Sequence, residues 1–173
     1  GKNYWGEGWE PVSDRKVKVG IVGYGFCKFG ATWFYQVHPN VEVVAATDLD
    51  PVRCADLARA VGAKKTYPSC EEMIKDKSIE AIYIATDAPS HARLAIMALN
   101  HGKHVFTQKP LTHTVWEARQ LANATDKYKL ATQMGNQGHA NEGNRLIASY
   151  VQGGHLGDIT EIHCFTNRPI WAQ

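Results

Sequence analysis

Val17-Lys18-Val19-Gly20-Ile21-Val22-Gly23-Tyr24-Gly25-Phe26-Cys27-Lys28-Phe29-Gly30 is the stretch that decides the fold. Residues 17–22 form a short β-rich run that ends in glycines. Gly23 and Gly25 fit the first two positions of a G-x-G-x-x-G turn. The first allows a tight bend, and the second lets backbone amides approach a pyrophosphate at a helix N-terminus. Lys28 stands at the third position, where a small residue normally lets helix and strand pack closely. Either Gly30 takes over that packing in a shifted turn, or Lys28 points outward and pairs with a phosphate. A glycine turn alone can arise by chance, but one placed between a strand and a helix is what the mechanism requires.

Working outward, Ala31 to Val37 reads as the helix after the turn, stopped by His38-Pro39-Asn40. Val41 to Ala46 is the second strand, with Asp48 just past its end. A carboxylate there accepts hydrogen bonds from the adenosine ribose hydroxyls and repels a 2′-phosphate, so NAD is expected and NADP is disfavoured. Asp50-Pro51 opens the next helix as N-cap and first residue, Leu57, Ala58 and Val61 supply its apolar stripe, and Gly62 ends it. Ser69-Cys70-Glu71-Glu72 has the spacing of a capping box for a short helix. Ala81 to Ala85 is nearly all apolar, as in a strand buried on both faces. A helix from about Ser90 to Asn100, a strand from His104 to Thr107, a helix capped by Thr114 and Glu117 and running to about Lys127, and a strand from Lys129 to Gln133 follow. This alternation with short links predicts an α/β fold built on a doubly wound parallel sheet, the Rossmann NAD(P)-binding architecture.

The flanks read differently. Residues 1–15, with Trp5 and Trp9 among glycines, are expected as an irregular arm folded over a surface. The dinucleotide-binding domain is expected over 16–137. Residues 138–173 are expected as the incomplete beginning of a second domain: a helix from about Glu142 to Gln152, then a strand from Ile159 to Phe165. A single strand cannot satisfy its own backbone groups. Either the chain is the truncated front part of a longer protein whose C-terminal α/β domain begins here, or this strand pairs with the sheet edge or with a second copy.

Composition narrows the class. Hydrophobic residues make up 44% and charged residues 21%, at a net charge of +2 with no block of one sign, which gives no case for nucleic acid or a membrane surface. No apolar run approaches the roughly 18 residues of a membrane span. Cys27, Cys54, Cys70 and Cys164 lack metal-ligand spacing and are read as free thiols, and the eight histidines form no metal-binding constellation. A cytoplasmic location is expected, with export the alternative if a signal segment preceded Gly1.

A more particular pattern lies further on. Ala85-Thr86-Asp87-Ala88-Pro89-Ser90-His91 is followed by Ala98-Leu99-Asn100-His101-Gly102-Lys103-His104-Val105-Phe106 and then by Gln108-Lys109-Pro110-Leu111. With the glycine turn and Asp48, this resembles the glucose–fructose oxidoreductase / inositol dehydrogenase (Gfo/Idh/MocA) family, continuously over 16 to about 137 and more loosely to Trp171. The resemblance implies NAD(P)-dependent oxidation or reduction of a hydroxyl-bearing carbon of a small sugar, cyclitol or other polyol, in a protein expected to be a homo-oligomer. It implies that Lys109 is catalytic, matching the lysine of an E-K-P motif beside the nicotinamide, where an ammonium would stabilise negative charge on the carbinol oxygen. Gln108 departs from that motif by replacing a carboxylate. The Lys109–Pro110 bond is expected to be cis, as is common in the family. Gly23, Gly25, Phe26, Cys27, Asp48, Thr86, Asp87, Gln108 and Asn136 are implied at the cofactor. His91 is either a further cofactor contact or a packing histidine, and Asn167 with Arg168 is either a polar fork for substrate or a solvated loop.

The family's acid/base Asp and His belong to a glycine-rich stretch of the second domain that does not occur here, so this chain alone is expected to be inactive. Two other readings stand beside the oxidoreductase. One is a non-catalytic NAD-binding or assembly module. The other is an NAD-dependent glycosidase relative.

Overall fold

The computed structural model describes residues 10–11, 13–32 and 35–165, apart from the side chains of Tyr35 and Ala140. Most of the expected N-terminal arm, and the Asn167-Arg168 pair, lie outside the described residues. Among the described residues six strands, β1 (Val17–Val22), β2 (Val41–Thr47), β3 (Lys65–Tyr67), β4 (Ala81–Ile84), β5 (His104–Thr107) and β6 (Thr132–Met134), alternate with helices α1 (Phe29–Thr32), α2 (Pro51–Val61), α3 (Cys70–Met73), α4 (His91–Asn100) and α5 (Val115–Tyr128). All strand pairs are parallel, and the order is β3-β2-β1-β4-β5-β6. This is the expected doubly wound sheet. The order reverses between β1 and β4, and a crevice opens at the carboxyl ends of strands flanking such a switch point.

Alternation along the strands divides the core between two faces. Val22, Ile82 and Ile84 pack with Met73, Leu94, Ala95, Leu99 and Leu121 on the side of α3, α4 and α5. Val19, Ile21, Tyr83 and Ala85 pack with Leu57 and Val61 of α2 on the other. Strand β4 is buried on both faces, which is why its sequence shows no polar alternation.

The helix signals act as read. The Asp50 side chain accepts from the amides of Val52 and Arg53 at 2.8 and 3.0 Å, and Gly62 closes α2 at φ 71°. Ser69 accepts from Glu72 N at 3.3 Å. Thr114 and Glu117 cap each other reciprocally at α5.

Four expectations need correction. The helix after the glycine turn covers Phe29–Thr32, and Tyr35–Val37 is a 3-10 turn rather than its continuation. Strand β3, an edge strand of three residues, was not anticipated. Strand β6 starts at Thr132 rather than Lys129, because Lys129 takes the left-handed cap of α5 at φ 54° and cannot also be extended. Residues 159–165 form no strand, and no described segment pairs with them; unpaired backbone gains nothing from extension.

The chain divides into two compact units between Gly135 and Asn136. In the second unit α6 (Glu142–Gln152), where expected, is capped by Asn141, whose side chain accepts from Asn144 N at 2.9 Å. No helix among the described residues is long and apolar enough to cross a membrane.

The edge strand β3 is secured by Asp76. Its carboxylate accepts from Lys65 Nζ at 2.8 Å and the Tyr67 hydroxyl at 2.6 Å on one oxygen, and from Ser78 N at 2.8 Å and Ser78 Oγ at 2.6 Å on the other. Buried Lys103 donates to the carbonyls of Asp76 and Ile79 at 2.8 and 2.7 Å. The Lys65 contact, followed by the Ser78 and Tyr67 hydroxyls, holds the Asp76 carboxyl well below its usual range. A group with a depressed folded pKa stabilises fully above its unfolded pKa, and this is lost as pH falls toward the folded value. Asp76→Asn should therefore cost about 1–2 kcal/mol in urea unfolding at pH 7. The gap from wild type should close as pH drops through and below 3.8, the ordinary aspartate value; a gap that stays constant down to pH 3 would exclude this role.

Candidate cofactor cleft

At the end of β1 the chain turns at Gly23 with φ 98°. A Cβ there would lie 2.8 Å from the Ala85 carbonyl oxygen, so the neighbouring strand leaves no room for a side chain. The turn is pinned by Gly23 N donating to Thr47 O at 2.9 Å and Tyr24 N donating to Asp48 Oδ2 at 2.7 Å. Lys28 N then donates to Gly25 O at 2.9 Å, and Lys28 itself adopts φ 49°. Gly30 supplies the close approach: a Cβ there would overlap the Gly23 carbonyl oxygen and stand 3.1 Å from Leu57 Cδ1. Of the two readings for the third motif position, Gly30 does the packing. The Lys28 ammonium stands 5.5 Å from the Tyr24 ring centroid.

Beyond this turn lies a cleft of about 660 Å³. Gly23, Gly25, Phe26, Cys27, Asp48, Thr86, Asp87, Gln108 and Lys109, the expected contacts, all line it. Among the described residues the amides of Gly25, Phe26 and Cys27 meet no acceptor, so three donors of the turn are available to an anion. Four cations (Lys28, Arg53, Arg93, Lys109) and three carboxylates (Asp48, Glu71, Asp87) share the walls.

Asp48 does more than was read from its position. Besides Tyr24 N, it accepts from Asp50 N at 2.9 Å and from Arg53 Nε at 3.1 Å. It thus fastens the glycine turn to the end of β2 and to the first turn of α2. Farther along that wall, Arg93 Nη1 donates to Glu71 Oε1 at 2.7 Å, and this contact holds the Glu71 carboxyl below its usual range. Burial pushes the neighbouring Cys70 thiol up to about 12.

The opposite end is formed by the loops after β4 and β5. Thr86 Oγ1 and Ser90 Oγ stand 2.6 Å apart, and Ser90 Oγ donates to Asp87 within the same loop. Gln108 is only 2% exposed. The Tyr83 hydroxyl donates to Gln108 Oε1 at 3.3 Å, and the Tyr83 ring stacks on Phe106 at 4.9 Å. A neutral amide is much cheaper to bury there than the carboxylate of the motif it departs from. Burial also raises the Tyr83 pKa, keeping it a donor. Lys109 Nζ lies 5.9 Å from the Phe29 ring centroid, and the Lys109–Pro110 bond is cis.

His91, expected either at the cofactor or in packing, does not line the cleft, and Asn136 belongs to the second unit. His91 is fully buried behind the wall, with its ring nitrogens on the carbonyls of Pro110 and Thr86. Asn136 starts the second unit, where its carbonyl accepts from His139 N at 3.0 Å. Arg53, Glu71, Ser90 and Arg93 line the cleft without having been singled out. Arg53 and Arg93 each sit in the first turn of a helix that follows a strand's carboxyl end, which is the signal that could have found them. Among the described residues no group of His, Cys, Asp and Glu is arranged to hold a metal ion.

The comparisons with known proteins agree on one family. The sequence model of an oxidoreductase family with an NAD-binding Rossmann fold (GFO_IDH_MocA) matches residues 17–136. Inositol 2-dehydrogenase 3 of Saccharopolyspora erythraea is 30% identical over 155 residues, which is 88% of this chain and 46% of that protein. Glycosyl hydrolase family 109 protein 1 of Bacteroides fragilis is 33% identical over 120 residues, 64% of this chain and 26% of that protein. Among solved structures, scyllo-inositol dehydrogenase of Lactobacillus casei with bound NAD(H) and scyllo-inositol superposes with a TM-score of 0.76 at 26% identity, covering 84% of this chain and 44% of that one. The chain thus spans less than half the length of these relatives.

Gly30→Ala should force apart the crossing of Gly23 and Gly30 and cost about 1–3 kcal/mol in urea unfolding, whereas Lys28→Ala should change stability by less than about 0.5 kcal/mol. Equal effects would remove Gly30 from the packing position.

Proposed function

The chain belongs to the oxidoreductase family with an NAD-binding Rossmann fold, and on that premise we propose that it holds NAD along the cleft and serves, in the whole protein, an oxidoreductase acting on a hydroxyl-bearing carbon of a small sugar or cyclitol. The observation that carries the proposal is convergence. The unpartnered amides of Gly25–Cys27, the Asp48 carboxylate and the Lys109 ammonium come from three separate loops, yet they line one cleft at the topological switch point.

In this reading the turn amides bind the diphosphate, and Asp48 keeps a lone pair of Oδ2 for the adenosine ribose. Thr86, Asp87 and Gln108 wall the other end. Bound NAD would supply the hydride acceptor for carbinol oxidation. Lys109 orients the carbinol oxygen and stabilises the negative charge that develops on it as the proton leaves. Relatives that act on inositol support a cyclitol or similar polyol as substrate. The same reading takes the whole protein as a homo-oligomer in the cytoplasm.

The glycosyl hydrolase relative favours one second reading, in which the same cofactor site serves glycoside cleavage. Activity of the whole protein on an aryl glycoside, set against oxidation of free inositols, separates the two.

Titrating NAD into the chain should give saturable binding in the micromolar-to-millimolar range. Asp48→Ala should weaken NAD by about tenfold or more, since a charge-assisted hydrogen bond to the ribose is lost, and should narrow its advantage over NADP. An unchanged NAD/NADP ratio would sink the role of Asp48, and absence of saturation at millimolar NAD would sink the proposal.

A further inference from the structure

We infer that His91 is a positioning residue that ties the loop carrying Lys109 to the loop carrying Thr86 and Asp87, and so holds the Lys109 end of the cleft in shape for the nicotinamide half of the cofactor. This rests on the cofactor reading above.

The ladder between β4 and β5 ends at the pair Ile84 and Thr107, and Gln108 N donating to Ile84 O at 2.8 Å is its last backbone bond. Past that point the two loops separate from the sheet, and both line the cleft. His91, the first residue of α4, is 1% exposed and sits where they diverge. Its Nδ1 lies 2.6 Å from Pro110 O and its Nε2 lies 3.1 Å from Thr86 O. One ring therefore reaches a carbonyl in each loop, one directly after Lys109 and one directly before Asp87.

Donor counting sharpens the assignment. A neutral imidazole carries one N–H and serves one of the two carbonyls, while the doubly protonated ring serves both. We assign the proton of the neutral ring to Nδ1, the nitrogen with the shorter contact, so Pro110 is the partner held in either state. A histidine kept only for packing has no need of two carbonyls from two different functional loops. An apolar ring in its place would leave the Pro110 carbonyl without this donor and the two loops without a shared polar contact.

The geometry also predicts which part of the ligand feels the loss. Asp48 and the Gly23–Cys27 turn hang on β1, β2 and α2, through contacts that do not involve His91. Removing the ring should leave the adenosine and diphosphate end intact and disturb only the end at Lys109.

The test uses calorimetric titration of the chain with NAD and with ADP, which carries adenosine and the diphosphate but no nicotinamide, alongside the thermal midpoint of each variant. His91→Ala should weaken NAD by about tenfold while ADP stays within about twofold of wild type. His91→Asn, whose amide nitrogen falls near the Nδ1 position, should recover most of the NAD affinity. His91→Gln, whose amide falls nearer Nε2, should not. If His91→Ala fails to fold, the Asn and Gln pair decides: NAD binding kept by Asn and weakened in Gln supports the role, and equal NAD binding overturns it. NAD and ADP weakened by the same factor would make His91 a general stability residue, and neither being weakened would leave it without a role. Wild-type chain that binds neither ligand would take down the cofactor reading and this role with it, whereas wild-type binding with an indifferent His91→Ala takes down this role alone.

Discussion

The backbone crossing between Gly23 and Gly30 is the constraint on which the rest of the structure depends. At Gly23 the turn runs against the carbonyl of Ala85, and at Gly30 the start of α1 runs against the carbonyl of Gly23. Neither place admits a Cβ. Because the chain closes there without side chains, β1 and β4 lie side by side with their ends flush, and the first helix sits over the sheet beside Leu57 of α2. The crevice at the switch point exists because these two approaches are made by backbone alone. It also explains how Lys28 is tolerated at the motif's third position. The close contact has moved two residues on, and Lys28 is left in a left-handed conformation at the rim, with its ammonium over the Tyr24 ring.

Electrostatics build on that frame. Asp48 could be regarded simply as a carboxylate waiting for a ribose, but it is also a joint. Three donors from the turn, the β2–α2 link and α2 converge on it. A carboxylate oxygen accepts more than one hydrogen bond, so structural and ligand roles are compatible. Arg53 pairs with Asp48 and offsets its negative charge beside the glycine turn. Four cations against three carboxylates give the cleft a slight positive excess, which favours an anionic ligand.

What was legible in the sequence had local causes. Strands β1, β2 and β4, the Asp50-Pro51 entry, the Gly62 exit and the Thr114–Glu117 box announce themselves within a few residues, because the partners are neighbours in the chain. The parts that were not legible depend on distant partners or their absence. Lys65–Tyr67 is an edge strand whose first two side chains are exposed, so it carries no apolar alternation, and its anchor is Asp76. Ile159–Phe165 has the composition of a strand, but no strand among the described residues pairs with it. Lys129 reads as the first residue of a strand, yet the exit of α5 needs a left-handed residue at that point, and the helix end takes precedence.

The two ends of the cleft divide along the same line. The glycine-turn end is assembled by residues 23 to 53, with turn, strand end and helix start bonding to one another at short range, and its residues could be singled out from motif spacing. The Lys109 end depends on ties that cross the fold: Tyr83 reaches Gln108 from within the sheet, and His91 reaches Pro110 from the start of a helix. At such an end a residue's type says little until its neighbours are known. Gln108 appears in the sequence only as a departure from a motif. In the fold it is a buried amide set under a tyrosine hydroxyl, where a carboxylate would need a compensating positive charge. Lys109 beside it consequently has an amide and not an acid as its neighbour at position 108, and it lines the cleft.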